Sequence, residues 1–231
     1  MLSKTNIFLK GFFDVLPLLI PVAPFGIILG VIGIELGFSP LVVYATSFIV
    51  FSGSAQIVLF ELISAGATPL VTLTSVAVTN SRHFLYGAVV SEYFEKLNIA
   101  WKAILSYFLT DQSFAVSYRY FKENKTVPNK HYHLLGSGLT LWTIWQISTL
   151  MGIFLGSIVP EELGLTFAIP LTFLSLIIHE FRKLDHIIVI FTSGILATLF
   201  YDISFKAYII LATSIALVVA TIITNIKFNN K

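Results

Sequence analysis

The chain has 231 residues, 56% of them hydrophobic and 11% charged, with a net charge of +2 and a mean hydropathy of +0.89. Soluble domains carry about 25% charged residues, so this composition excludes an ordinary water-soluble fold. The few basic residues are scattered and give a nucleic acid no surface to bind. Cysteine is absent, which excludes a disulfide framework, a thiolate nucleophile and a cysteine-ligated metal.

Lys4 and Lys10 precede the first apolar run, and the proline-rich sequence after them offers no small-residue cleavage site, so the first span is expected to stay. It contains Pro17, Pro21 and Pro24, followed by Phe25 and Gly26. Each proline removes a backbone donor and crowds the carbonyl four residues earlier, which predicts a kink or an unwound turn near mid-membrane. Carbonyls freed in this way are tolerated only where protein or a wet cavity satisfies them. The second apolar run holds Phe51-Ser52-Gly53-Ser54-Ala55-Gln56, a small polar patch. Serine can bond back to its own helix, but Gln56 needs a partner elsewhere. Two weakened helices in succession are one way to build a substrate site at the midplane; ordinary kinking and close packing is the other. Gly26, Gly30, Gly33 and Gly37, and later Gly152 and Gly156, have the spacing that lets a second helix approach closely.

The uncharged run 62–81 leads into Asn80-Ser81-Arg82-His83 and then Phe84-Leu85-Tyr86-Gly87. A guanidinium in hydrocarbon costs about 2.5 kcal/mol or more unless a partner or a wet cavity receives it. Arg82 therefore marks either a permeation pathway or a structural bridge. On a regular helix Asn80, His83 and Gly87 share one face while Arg82 and Tyr86 share another. Either the segment is unwound, or Arg82 and Asn80 reach different partners. Asp111, in Thr110-Asp111-Gln112-Ser113, is the natural counter-ion for Arg82 or for a substrate ammonium. A carboxylate left unpaired at that depth favours its protonated form, which makes Asp111 and His83 candidate proton carriers.

Charge-free windows cover 15–34, 36–60, 62–81, 134–160, 163–178, 187–201 and 207–226, and 103–118 is broken only by Asp111. About 20 residues cross a bilayer core, so the sequence predicts an all-α polytopic membrane bundle of eight spans, with seven as the alternative, and broken helices in the first half. It is expected to form a single transmembrane domain over 1–231, in which the polar loop 119–133 separates two possible four-helix halves. With the N-terminus cytoplasmic, ten basic residues fall inside, Lys96, Lys102 and Lys206 fall outside and Arg82 lies within the membrane, as the positive-inside rule demands.

The remaining polar residues add little chemistry. His131 and His133 fall in the basic loop with no carboxylate motif beside them, so no metal site is expected. His179-Glu180 and Asp185-His186 flank a turn, and the acidic pair Glu161-Glu162 has no histidine nearby. No phosphate loop, dinucleotide fingerprint, nucleophile elbow or zinc helix occurs. Neither a cofactor nor an enzymatic activity is expected.

Four segments in order, Pro21-x-x-Pro24-Phe25-Gly26 with Gly30, Phe51 to Gln56, Asn80 to Gly87, and Thr110 to Ala115, make the chain resemble the AzlC family of branched-chain amino-acid exporters. The second half, through Leu163 to Ala168 and Phe173-Leu174, agrees loosely. Ser81 stands where an apolar residue is usual, and Gln112 where an acidic one is common. The resemblance implies export of neutral hydrophobic amino acids from the cell through a plasma-membrane protein, and a small hydrophobic partner of the AzlD type. It also implies a substrate or pathway site among Pro21, Pro24, Phe25, Gly26, Ser52, Gly53, Gln56, Asn80, Arg82, His83 and Asp111. In that picture Arg82 and helix N-termini hold the carboxylate, while Asp111, Gln56 and free carbonyls hold the ammonium. Phe25, Phe51 and Phe84 form the apolar wall. A membrane scaffold or accessory subunit that moves nothing is the competing reading, and an enzyme acting on lipid is a third.

Overall fold

The computed structural model describes residues 3–124, 127–156, 184–203 and 208–229. The expected span 163–178, the acidic pair Glu161-Glu162 and His179-Glu180 lie outside them. Every regular element among the described residues is helical. The chain divides into two compact units, one built from Met1–Ile57 and Thr79–Leu163, the other from Val58–Val78 and Gly164–Lys231.

The first unit opens with α1 (Lys4–Val15), capped by the Ser3 side chain, which accepts from the Asn6 amide at 3.1 Å. A 3-10 turn at Leu16–Leu18 contains Pro17, and α2 (Leu19–Glu35) continues beyond it. The predicted interruption is thus a single tightened turn, and Pro24 stays inside α2. Pro21 falls in the first turn of α2, where amides have no intrahelical acceptor to lose. The helices α1 and α2 run side by side with α8 (His131–Gly156) in the same direction. Gly11 abuts the backbone of His133, Gly136 that of Phe8, Gly30 that of Thr149 and Gly152 that of Ile27, while Gly156 lies against Val31. A methyl group at most of these points would overlap a carbonyl of the facing helix. The two glycine series in the sequence are the two sides of one seam, and small residues are what let backbones meet this closely among apolar helices. Gly37 is the exception: with φ +83° it makes the turn after α2 and packs on nothing.

Next come α3 (Pro40–Val50), α4 (Gly53–Ser64) and the uninterrupted α5 (Pro69–Phe94), which carries Asn80-Ser81-Arg82-His83 in regular helix. The window 103–118 does not form one continuous helix. It splits into α6 (Ile99–Tyr107) and α7 (Asp111–Glu123) because Thr110 and Ser113 cap each other at the start of α7, with the Thr110 amide 2.8 Å from Ser113 Oγ. The two arms form a hairpin. Trp101 of α6 packs on His131 and Tyr132, Phe108 reaches Gly138, and Tyr120 of α7 returns to stack on His133 at 4.2 Å. Both outer ends therefore lie at the start of α8. The polar loop shrinks to the residues between Glu123 and His131, so His131 and His133 belong to the first turn of α8 and are buried there. Ile7, Val90, Phe94, Leu105, Leu109, Phe121 and Leu134 join α1, α5, α6, α7 and α8 in one apolar cluster at this end.

In the second unit α9 (Leu184–Leu199) and α10 (Tyr208–Asn229) pack on one another. Among the described residues two helical stretches, Lys4–Glu35 and His131–Gly156, are long and apolar enough to cross a membrane, and four shorter apolar helices accompany them.

The seam makes a sharp prediction. Gly152→Ala forces α2 and α8 apart and should cost about 1–3 kcal/mol. Gly87→Ala, with no atom within 4 Å of the added carbon, should be neutral or stabilising by up to about 1 kcal/mol. Thermal melting of the two purified variants in detergent, followed by circular dichroism, checks the contrast.

Candidate functional site

The site begins where α3 stops. Phe51 takes a left-handed backbone conformation (φ 43°, ψ 43°), which costs a bulky residue about 1–2 kcal/mol. Its surroundings hold it there: the side chain is buried, with its ring 5.8 Å from that of Tyr107. The last carbonyls of α3 find side-chain donors. Gln146 Nε2 donates to the Ser47 carbonyl at 3.2 Å, and the Tyr107 hydroxyl donates to the Phe48 carbonyl while accepting from Trp142 Nε1 at 2.7 Å. The helix then restarts at Gly53. A side chain at Gly53 would strike the Phe25 ring at 2.5 Å and the Trp145 ring at 2.6 Å, so glycine is required for the restart to seat against α2 and α8.

Three polar contacts tie this break to α5 and α7. Ser52 Oγ donates to Asn80 Oδ1 at 2.7 Å, Arg82 Nη2 donates to Ser54 Oγ at 2.9 Å, and Arg82 Nη1 lies 3.2 Å from Asp111 Oδ2. The helix stays regular, so Asn80 and Arg82 do reach different partners. Asp111 opens the first turn of α7, where the helix dipole favours a negative charge. The Arg82 guanidinium thus spans the beginnings of two helices, α4 at Ser54 and α7 at Asp111. The pair is not sealed, because the side chains are 40% and 37% exposed. Arg82 Nε and Asp111 Oδ1 are buried and have no hydrogen-bond partner among the described residues by strict geometry, although the Tyr86 hydroxyl also approaches the Asp111 carboxylate.

Behind the break lies a second polar layer. Ser47 Oγ and Thr149 Oγ1 are 3.0 Å apart, and buried Gln56 donates to Thr46 Oγ1 at 3.4 Å. The far atoms Gln56 Oε1, Gln146 Oε1 and Trp145 Nε1 are buried without partners among the described residues. A buried unsatisfied polar atom costs about 1–3 kcal/mol, so three in one layer are a local expense that packing alone does not explain.

The structure therefore brings together Ser52, Gly53, Asn80, Arg82 and Asp111, with Phe25 against Gly53 and Gln56 one turn further along α4. It does not bring in the others. Pro21 and Pro24 face outward. Gly26 is a packing residue against Ser148 and Trp145. His83 bonds the Asn80 carbonyl of its own turn at 3.2 Å and sets its ring edge-on to Tyr86. Phe84 is 79% exposed and no part of a wall. The residues missed are Ser54, Tyr107, Trp145, Gln146 and Thr149. Apart from Ser54 they sit in apolar runs where nothing distinguishes a site residue from a core residue.

Interrupted helices that converge on a partly exposed ion pair define a helical protein with a polar site set into an apolar bundle. The chain belongs to the AzlC family: the model described as AzlC protein matches residues 17–159, which contain every contact of this site. The inner membrane protein YgaZ of Escherichia coli (strain K12) is 29% identical over 182 residues, 76% of this chain and 74% of that protein. The branched-chain amino acid transport protein AzlC of Bacillus subtilis (strain 168) is 25% identical over 162 residues, 68% of this chain and 61% of that protein. An uncharacterized membrane protein of Helicobacter pylori (strain ATCC 700392 / 26695) is 24% identical over 182 residues, 76% and 78% of the two chains. No solved structure matches.

If Arg82 and Asp111 stabilise one another as the geometry indicates, Arg82→Ala and Asp111→Ala should each lower the melting temperature, and the double variant should lose less than the two losses added. The coupling should be about 1 kcal/mol, the upper range for a pair this exposed. Additive losses in a double-mutant cycle would show that the pair contributes nothing to stability.

Proposed function

We propose that the chain is a multi-pass plasma-membrane transporter that exports branched-chain amino acids, alone or with a small hydrophobic partner of the AzlD type, through a polar site at mid-depth. The observation that carries this reading is the half-filled Arg82–Asp111 pair. The side chains of the pair are partly exposed, while one guanidinium donor and one carboxylate acceptor within it are buried without a partner among the described residues. An α-amino acid presents a carboxylate and an ammonium on neighbouring atoms, so it is a minimal ligand that fills both. The amides at the start of α4 add positive potential for the carboxylate, and Phe25 and Phe51 supply apolar surface for an aliphatic side chain.

The orientation has its own support. The start of α1, the end of α7 and the start of α8 lie at one end of the first unit, where Lys4 sits over Tyr132, Lys130 over Tyr93 and Lys10 beside Arg119 across a shared cavity. A cytoplasmic N-terminus places all these cations on the cytoplasmic side, as the positive-inside rule requires. Because α6 and α7 leave and return at this end, and α5 also finishes here, the chain from α3 to α5 makes one net crossing. The 26 residues of α5, about 39 Å long, have the length for it, with Ser52, Ser54 and Asp111 meeting its polar residues, and α3 with α4 then acts as a second hairpin. This reading makes the apolar windows 36–60 and 103–118 hairpins rather than crossings.

A scaffold that moves nothing would be expected to satisfy its own buried charges, and the unpartnered buried atoms of Arg82 and Asp111 weigh against it. The test is efflux of leucine and valine from cells loaded with hydrophobic dipeptides, with and without a co-expressed small partner. Arg82→Ala and Asp111→Ala should each reduce efflux by about tenfold or more, the loss of one charged hydrogen bond, with membrane insertion unchanged. Wild-type efflux from either variant removes that residue from the site. Equal efflux from cells with and without the chain removes the transport reading.

A further inference from the structure

A second polar cluster lies away from Arg82, between α1, α7 and α8. His133 is fully buried, and both of its ring nitrogens are engaged: Nε2 is 3.1 Å from Asp14 Oδ2 and Nδ1 is 3.0 Å from Ser117 Oγ. Ser117 in turn lies 3.1 Å from Ser137 Oγ, and that hydroxyl donates to the Leu134 carbonyl. Tyr120 covers one face of the imidazole, stacked at 4.2 Å. Asp14 is the exit of the chain. It pairs with Lys10 and lines a cavity of about 560 Å³ together with Asn6, Lys10, Arg119, Glu123 and Asn124. Buried imidazole, carboxylate and hydroxyls thus form a continuous line from this cavity into the helix bundle.

We propose that His133, held between Asp14 and Ser117, is the binding site of the proton that couples to transport; this rests on the transport reading above. Neutral His133 donates from Nε2 to Asp14 and accepts at Nδ1 from the Ser117 hydroxyl. A proton arriving through the cavity and Asp14 makes both ring nitrogens donors. The bond to Ser117 then reverses, and the Ser117 hydroxyl must turn to Ser137 or to a carbonyl of its own helix. One proton therefore rewrites the contacts between α7 and its neighbours without any side chain leaving the core. Asp111 begins the same helix six residues earlier, about 9 Å along its axis. The proton site and the substrate site accordingly lie on one short rigid arm.

The charged and titratable groups facing His133 are Lys10 and Asp14 from α1 and Tyr120 from α7, with Arg119 and Glu123 of α7 at the cavity mouth; α8 contributes Ser137. Lys10 and Asp14 offset one another, which leaves the imidazole as the group in the cluster that takes up the proton. Ser117 is fully buried, so no substrate reaches its hydroxyl and a nucleophilic role does not follow.

The experiment uses the full chain in proteoliposomes, with and without a small partner, and measures two activities with radiolabelled leucine. Counterflow exchange needs no net proton movement; accumulation driven by an imposed pH gradient does. His133→Gln and Asp14→Asn preserve size and hydrogen bonding, and both should keep most of the counterflow while losing gradient-driven accumulation by about tenfold or more, one full coupling factor. The pH dependence of wild-type exchange should flatten in His133→Gln. Wild-type accumulation by His133→Gln overturns the proposal. So does the parallel loss of both activities in both variants, since that is the mark of a merely structural cluster. A wild-type protein without counterflow defeats the transport reading itself and takes the proton site with it.

Discussion

A cation on an apolar helix has to be met, and the way Arg82 is met organises the first unit. Ser54 and Asp111 reach it because two helices are interrupted, one at Phe51-Ser52 and the other at Phe108 to Thr110. Continuous helices would carry those residues past Arg82 as ordinary side chains. As it is, both approach at helix beginnings, where amide dipoles add positive potential and Asp111 is stabilised in compensation. The strained backbone at Phe51 and the glycine at position 53 are parts of the same solution. One lets the chain stop, and the other lets it restart against Phe25 and Trp145.

The layer behind that junction is polar for a related reason. Stopping α3 in the middle of the bundle frees carbonyl groups that neither water nor the next turn can satisfy. Tyr107 and Gln146, from α6 and α8, donate to them. An aromatic hydroxyl and an amide placed for this purpose leave other atoms of Gln146 and its neighbours buried without partners among the described residues. Helix interruption, carbonyl satisfaction and the unpartnered polar atoms are thus linked steps of one arrangement.

Much of this was legible in the sequence where residue chemistry is local. A polar patch with glycine at 51–56 announced a weak helix, and the cost of Arg82 pointed to Asp111 as its counter-ion. The prolines of the first span misled in degree, because a proline in the first turn of a helix interrupts nothing; only the turn around Pro17 tightened. The window 103–118 looked like a span because hydropathy is blind to direction, and a hairpin has the same composition as a traverse. His133 was invisible for another reason. Flanked by Lys130 and His131 it has the composition of a solvated loop, and its burial depends on Asp14, which lies 119 residues away in the chain. Glycine spacing signals close packing, but no single sequence says that its two series face each other.

That seam carries a consequence for biogenesis. The faces that meet, one around Gly30 and the other around Gly152, are more than a hundred residues apart in the chain. Synthesis delivers the first long before the second, so the opening helix sits in the nascent protein with its groove empty and Asp14 without its histidine. Closure waits for α8, whose arrival zips the groove and buries His133 in the same event. More than a hundred residues thus leave the ribosome before the groove of the opening helix meets the helix that fills it.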